Sequence, residues 1–142
     1  MRGRAARALK TLFAGALAAC GARPAKVSSA QILRWAATLD LSAGDTTVEL
    51  PRDLASASHD HRAQVAALDG GRRCVLLKQR VFGKDNFEGL LVCDQPLRAT
   101  ELATAGAPAR PYVTLAGHGV FEELYVRRRI DDRTVEVFFD LE

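Results

Sequence analysis

The chain is poor in the side chains that most often carry catalysis or bind metals. Its 142 residues include three cysteines, three histidines, one tryptophan and two tyrosines. It contains no G-x-S-x-G nucleophile elbow, no glycine-rich phosphate loop and no H-E-x-x-H zinc motif. The usual signatures of serine hydrolases, nucleotide-binding enzymes and zinc proteases are therefore missing, and we expect no catalytic residues and no cofactor.

The N-terminus carries the clearest signal in the chain. Residues 1–10 hold four basic side chains and no acidic one, and residues 11–19 are uncharged and mostly Ala, Leu and Phe. A basic start, a short apolar segment and small residues at its end are typical of a secretory signal peptide. The segment is shorter than the about 20 residues that a membrane-spanning helix needs. We therefore predict that residues 1–19 direct export and are removed.

The end of this segment resembles the lipobox of bacterial lipoproteins. Residues 17–20, LAAC, place a branched apolar residue and two small ones before a cysteine. The resemblance implies that Cys20 becomes the mature N-terminus with two or more acyl chains, which anchor a protein stably. Gly21 stands where some inner-membrane lipoproteins carry Asp, which favours the outer membrane, facing the periplasm. An ordinary signal-peptidase cut after residues 16–18, ALA, remains the alternative.

The charge balance changes once the signal is removed. The full chain has 20 basic and 17 acidic residues, a net charge of +3 that could suggest a nucleic-acid partner. The signal holds four of the basic residues and none of the acidic ones, so residues 20–142 have 16 against 17 and a net charge of −1. We expect no nucleic-acid partner. The expected partners are the membrane, through the lipid on Cys20, and another envelope or secreted protein.

The two remaining cysteines predict a disulfide. Exported proteins meet an oxidising compartment, and lipidation of Cys20 leaves Cys74 and Cys93 as a pair. They lie in two β-rich runs, and a two-residue turn at Gly83 and Lys84 would pair residues whose numbers sum to 167. Cys74 then faces Cys93 at a separation that a disulfide accepts. A longer turn around residues 85–86 would place the cysteines diagonally.

Residues 31–142 are expected to form one mainly β domain, or an α+β domain, of antiparallel hairpins with one or two short helices. Residues 20–30 are then a lipidated N-terminus and flexible tether. Residues 31–39 fit a serine-capped helix or a strand, and we favour strands over residues 37–50, joined by SAGD. Short helical stretches are expected in residues 51–68 and 96–106.

The last 23 residues predict a second hairpin, which turns at Asp131 and Asp132. Pairing of residues whose numbers sum to 263 makes one face apolar and sets opposite charges side by side on the other, as cross-strand energetics favour. The predicted pairs are Leu124 with Phe139, Val126 with Val137, and Arg127 with Glu136. Arg128 then falls on the apolar face. A one-residue slip remains an alternative because Asp-Asp is a poor hairpin turn.

Two surfaces are candidates for binding a protein partner, since both combine aromatic rings with charges and Tyr and Arg are favoured at binding hot spots. The tip of the first hairpin carries Phe82, Lys84 and Phe87. The outer face of the last hairpin carries Tyr125, Arg127, Arg129 and Phe138. An ordinary solvated sheet edge is the alternative for each.

The histidines are a weaker candidate for a metal site. His59 and His61 would project to the same side of an extended segment. His118 could supply the third ligand that a catalytic zinc site needs. An ordinary polar loop is the competing interpretation, since the residues just before His59 are small and polar.

These features favour a non-enzymatic protein-binding module on a lipid anchor, of the inhibitor or immunity type. Small lipoproteins that inhibit lysozymes or give immunity to secreted toxins are similar in size, anchor and disulfide use. One alternative is an accessory subunit of an envelope assembly complex. The other is a metal-dependent enzyme that uses His59, His61 and His118.

The lipid anchor gives the first testable prediction. Cys20→Ser is expected to abolish acylation and to release the domain from membranes, because the sulfur is the attachment point. Incorporation of a labelled fatty acid and fractionation of the envelope measure both effects. A wild-type protein that is soluble and begins at Ala19 would contradict the prediction.

Overall fold

In the residues that the structure describes, the chain forms one antiparallel sheet of eight strands, in the order β1-β2-β3-β4-β8-β7-β6-β5. The computed structural model describes residues 26–84, 86–105, 110–113 and 124–139. The helix α1 covers Ser29–Ala36, and the strands are β1 Thr46–Glu49, β2 Arg62–Ala67, β3 Arg73–Phe82, β4 Asn86–Cys93, β5 Leu102–Ala105, β6 Arg110–Val113, β7 Leu124–Arg129 and β8 Thr134–Phe139. The predicted mainly β fold is confirmed.

The sheet consists of two four-stranded meanders that meet at its centre. Strands β1 to β4 each pair with the next along the chain, as do β5 to β8, and β4 pairs with β8. A strand that is covered on both faces reads as a continuous apolar run. In β3, the run Val75, Leu76 and Leu77 is buried throughout, which fits its interior place in the sheet.

Helix α1 is stabilised at both ends. Ser28 Oγ accepts a hydrogen bond from Gln31 N (3.2 Å) and Gln31 Oε1 accepts one from Ser28 N (2.8 Å), which is a capping box. At the other end, the Arg73 guanidinium donates to the carbonyl of Ala36 and to that of Leu39 (2.7 Å). Because α1 begins at Ser29, the domain includes the last residues of the predicted tether.

The preference for strands over residues 37–50 is confirmed for Thr46–Glu49 and wrong for residues 37–41. Only Thr46–Glu49 is a strand there, and it pairs with β2 rather than with residues 37–41. The serine-capped alternative is correct, because Ile32 and Ala36 lie four residues apart on one helical side and both are buried.

Each of the two segments expected to be helical contains a single 3₁₀ turn. Residues 51–68 contain one such turn at Ala55–Ala57, and their last part is strand β2. Residues 96–106 contain another at Ala99–Glu101, followed directly by β5. In β2, Ala63, Val65 and Ala66 are all buried, because helix α1 lies on one side of the sheet and a second core on the other.

The β3–β4 hairpin has the predicted register near the cysteines but a different turn. Cys74 pairs with Cys93 and Leu77 with Leu90, both summing to 167. A bulge at Gln79 then shifts the pairing, so the last pair is Phe82 with Asn86 and the loop has three residues instead of two. The extra residue in the bulge offsets the longer loop, which is why the cysteines still face each other.

The predicted disulfide is confirmed. Cys74 and Cys93 are bonded, with their Cα atoms 4.1 Å apart. The distance is closer to the about 4.5 Å of a directly opposite, non-hydrogen-bonded antiparallel pair than to the about 5.5 Å of a hydrogen-bonded one. Both cysteines are fully buried.

The two faces of the sheet carry two separate cores. On the helix face, defined as the side that packs against α1, Ile32 and Ala36 meet Val65, Val75 and Leu77 among others. The opposite side is the disulfide face, and its core runs from β2 to β7. Its buried members are Ala66, Cys74, Leu76, Phe87, Leu91, Cys93, Leu97, Val113, Leu124, Val135 and Val137.

The β7–β8 hairpin starts in the predicted register and then slips by one residue. Val126 pairs with Val137, which sums to 263. A bulge at Arg127 then brings Arg128 opposite Glu136, so the predicted pairing of Arg127 with Glu136 is wrong. Arg128 also lies on the helix face with Glu136 rather than on the apolar face.

A buried ion pair joins the start of β3 to the turn before β5. Arg72, only 4% exposed, forms an ion pair with Glu101, with Nη1 2.9 Å from Oε2. The same guanidinium donates to the Pro96 carbonyl (3.2 Å). Hydrogen bonds from Arg72 hold the pKa of Glu101 below its ordinary value of 4.5, while burial opposes this effect and the Arg98 N–H adds to it.

The disulfide makes a stability prediction. Replacing Cys74 and Cys93 together by Ala is expected to lower the free energy of unfolding by about 3 kcal/mol, because the unfolded chain gains freedom. Urea unfolding of the exported protein measures this, and Cys20→Ser is the control that leaves the crosslink intact. Two free thiols at these positions in the unreduced protein would contradict the prediction.

The ion pair makes a pH prediction. The pKa of Glu101 is lower in the folded than in the unfolded protein. Its contribution to the free energy of unfolding is therefore complete above its unfolded-state pKa and is lost as the pH falls through its folded-state pKa. Glu101→Gln is expected to cost about 2 to 3 kcal/mol at neutral pH. The difference from wild type should shrink below pH 4.5. Exposed Glu49 serves as the control, and Glu49→Gln should cost under about 0.5 kcal/mol.

Candidate functional site

The helix face is only half covered by α1. The core beneath the helix draws its strand residues from β2 and β3, at Ala63, Val65, Val75 and Leu77. The helix-face side chains of β4, β8 and β7 lie beyond this core. A groove of about 440 Å³ runs where the covered and uncovered halves meet.

Strand pairing arranges the side chains of the uncovered half of the helix face in rows across β4, β8 and β7. One row contains Leu90, Glu136 and Arg128, and the next contains Glu88, Phe138 and Tyr125. On β4, the helix-face residues in order are Val92, Leu90 and Glu88, since alternate residues share a face. The surface therefore changes from apolar to charged along β4.

The apolar half of the groove has an aliphatic floor. Val92, Leu90 and Leu77 line it from the sheet, and Ile32 lines it from α1. Of these four, only Leu90 is more than 2% exposed, so the other three lie beneath the surface of the groove. Ile130, which is 50% exposed, lies at its margin. The N-terminal end of the described chain forms part of the rim through residues 26–29.

The charged half of the groove contains two ion pairs. Arg127 Nη1 lies 2.6 Å from Glu88 Oε1, and Arg128 Nη2 lies 2.6 Å from Glu136 Oε1. The side chains of Arg127 and Arg128 remain 58% and 68% exposed. Two successive arginines share this face because of the bulge at Arg127. Gln79, from the bulge of β3, lines the same part of the groove.

The last hairpin keeps three of the four residues predicted for its binding surface. Tyr125 and Phe138 form a direct pair on the helix face, with ring centroids 5.2 Å apart, and both are half-buried. Arg127 lies on the same face. Arg129 does not, because after the bulge it pairs with Val135, a residue of the disulfide-face core. Its Nε donates instead to the Asp131 carbonyl (3.2 Å).

The tip of the first hairpin keeps only part of its predicted surface. Phe82 is 40% exposed and Lys84 is exposed. Phe87 is buried on the disulfide face, where it stacks on Phe139 at 5.7 Å between centroids and lies under Lys78 Nζ. Phe87 is therefore a core residue and is removed from the candidate surface.

The histidine segment forms an ordered turn. His61 has a positive φ of 59°, and its Nδ1 lies 3.0 Å from the Ala55 carbonyl oxygen. The backbone N–H of His59 donates to the Lys78 carbonyl (2.6 Å). His118 lies outside the described residues. Among the residues that the structure describes, no group of three or more His, Cys, Asp or Glu is placed to hold a metal.

Comparison with known proteins identified no relative of this chain. No family model, curated protein or solved structure matches the chain. Within the described part of the chain, no helix is long and apolar enough to cross a membrane. Cys20 lies outside that part, so lipidation stays a prediction.

Several groove residues escaped the sequence interpretation. The run of β4 indicates burial on both faces, and it does not show that Leu90 remains only half-buried. Arg128 and Gln79 face the groove because of bulges, whose positions depend on the neighbouring strand. A row of three consecutive arginines, at 127–129, is the one local signal that could have directed attention there.

Proposed function

We propose that this protein is an envelope-anchored bacterial lipoprotein that binds another protein and has no chemistry of its own. The observation that carries the proposal is the stack of Tyr125 on Phe138, with Arg127 beside it on the uncovered half of the helix face. Tyr and Arg are enriched among residues that dominate binding energy. Large aromatic rings also supply apolar contact area with few rotatable bonds.

The ion pairs prepare this surface for binding. Glu88 and Glu136 hold the guanidinium groups of Arg127 and Arg128, which lowers the entropy that these long side chains lose on association. Each ion pair has no net charge, so the surface favours a partner whose binding face carries both positive and negative charges. Such complementarity adds more to specificity than to raw affinity.

The proposed anchor sets where binding takes place. The lipidated cysteine lies six positions before Lys26, where the described chain begins, with residues 21–25 between them. Six steps along the chain span at most about 20 Å. The partner is then an envelope or secreted protein that reaches the periplasmic surface of the outer membrane.

The binding surface makes a prediction about affinity. Tyr125→Ala, Phe138→Ala and Arg127→Ala are each expected to weaken partner binding by more than about 1 kcal/mol. The partner would be captured by crosslinking in the native envelope, purified, and titrated by calorimetry. Arg129→Ala is the matched control, because Arg129 is an exposed arginine of the same strand on the opposite side.

Two results would contradict the proposal. One is binding that is equally strong in all four variants while each remains folded. The other is an enzymatic activity that His59→Ala removes while partner binding survives, which would favour the metal-dependent alternative.

A further inference from the structure

The hairpin tip, defined as residues 80–84 between β3 and β4, exposes apolar side chains on both of its sides. Phe82 is 40% exposed and Val81 is 39% exposed. In the described part of the chain, the other exposed large apolar side chain is Ile130. Val81 pairs with Phe87 of the disulfide face, so Phe82, the next residue, lies on the opposite side of the hairpin. A partner that covers both must surround the end of the hairpin.

The hairpin tip extends beyond the strand next to it. The pairing of β3 with β2 runs from Arg73 to Leu76, and the Lys78 carbonyl then accepts a hydrogen bond from the His59 N–H (2.6 Å). After Lys78, the described pairings of β3 are with β4 alone. Gly83 lies five residues further along the chain, which is about 16 Å in a strand. The tip is therefore a two-stranded ribbon that can enter another phase end-on.

Two positive charges flank the apolar pair. Arg80 and Lys84 are exposed, and neither forms an ion pair with a residue that the structure describes. Glu88, the residue opposite Arg80, binds an arginine of β7 instead. With Asp85 included, residues 80–85 have two basic residues against one acidic residue, a net charge of +1. Basic side chains beside exposed apolar ones are typical of segments that bind an acidic lipid surface.

The described chain begins at the same end of the sheet. Arg73, at the start of β3, binds a backbone carbonyl at the C-terminal end of α1. The N-terminal end of α1 lies further along β3, because residues 26–29 line the groove together with Gln79, the residue before the tip. The chain thus enters the domain from the end toward which the tip points. The proposed lipid on Cys20 is within about 20 Å of Lys26, a reach similar to that of the tip.

We propose that the hairpin tip is a second membrane contact, which inserts Val81 and Phe82 into the interface of a phospholipid bilayer with acidic head groups. Arg80 and Lys84 then lie against the phosphates. This inference rests on the proposed lipid anchor, because two apolar side chains bind a bilayer only weakly. The anchor makes the contact intramolecular and so raises the effective concentration of the tip at the surface. The contact holds the anchored domain in one orientation, and Cys20→Ser still releases it.

The test places tryptophan at the tip of the acylated protein purified from bacterial membranes. The protein is reconstituted in vesicles of equal parts phosphatidylethanolamine and phosphatidylglycerol, with and without brominated acyl chains, which quench tryptophan on contact. The wild type contains one tryptophan, Trp35, which sets the baseline. Phe82→Trp is expected to lose emission in the brominated vesicles beyond this baseline, because its ring lies among the lipids.

Ile130→Trp is the matched control for an exposed apolar site. Ile130 is 50% exposed, and its N–H donates to the Thr134 carbonyl (3.0 Å). Thr134 pairs with Val92, which lies six residues along β4 from Asn86, about 20 Å from the tip end of that strand. Emission of Ile130→Trp is therefore expected to stay at the wild-type baseline.

A second comparison tests the charges. Arg80→Gln with Lys84→Gln, added to the Phe82→Trp chain, should lower the ratio of quenched to unquenched tips at least about fivefold, since both cations favour the acidic surface. Arg129→Gln with Arg133→Gln removes the same charge from the β7–β8 turn. This control should change the ratio less than about twofold, because both arginines are exposed and far from the tip.

The possible failures are distinguishable. Acylated Phe82→Trp protein whose emission stays at the baseline would overturn this inference and leave the anchor intact. If Phe82→Ala then weakened capture of a protein partner in the native envelope, the tip would be a protein contact instead. A purified chain that mass spectrometry shows to carry no acyl group would overturn both the anchor and this inference.

Discussion

The pairing of β4 with β8 is the contact on which the rest of the structure depends. It joins two four-stranded meanders, and it places Leu91 opposite Val135, both fully buried on the disulfide face. Backbone bonds continue the contact beyond the strands, from Cys93 N to the Arg133 carbonyl (2.8 Å). Pairing β4 with β8 closes a loop of the chain that contains β5, β6 and β7. The entropy cost of this closure grows only slowly with loop length, and the burial of apolar side chains along β4 offsets it.

The disulfide and the two bulges act on this central region in different ways. The Cys74–Cys93 bond holds the register of β3 against β4 where both faces are buried. Each bulge then adds one residue to a strand, after which the alternation of faces is reversed. This brings Arg127 and Arg128 to the helix face together and sends Arg129 to the other. The charged half of the groove is thus a product of irregular pairing.

The short length of α1 leaves part of the helix face uncovered. Eight residues of helix are about 12 Å long, and the helix packs on β2 and β3 and reaches β4, while no residue of β7 or β8 belongs to the core beneath it. Arg73, at the start of β3, holds the helix C-terminus in place through the Ala36 and Leu39 carbonyls. The uncovered strands then present an aromatic stack with two ion pairs, and the boundary with the helix becomes the apolar groove.

The sequence alone determined the features that depend on local spacing. It predicted the Cys74–Cys93 pairing, the hairpin of β7 and β8 and the mainly β class, because strand alternation and turn residues act over a few positions. Tertiary structure decided what lies between distant segments. It paired β1 with β2, buried Phe87 and turned Arg129 away from Tyr125. The physical reason is that a bulge, an edge pairing or a covered face is selected by packing against neighbouring strands, which local sequence does not encode.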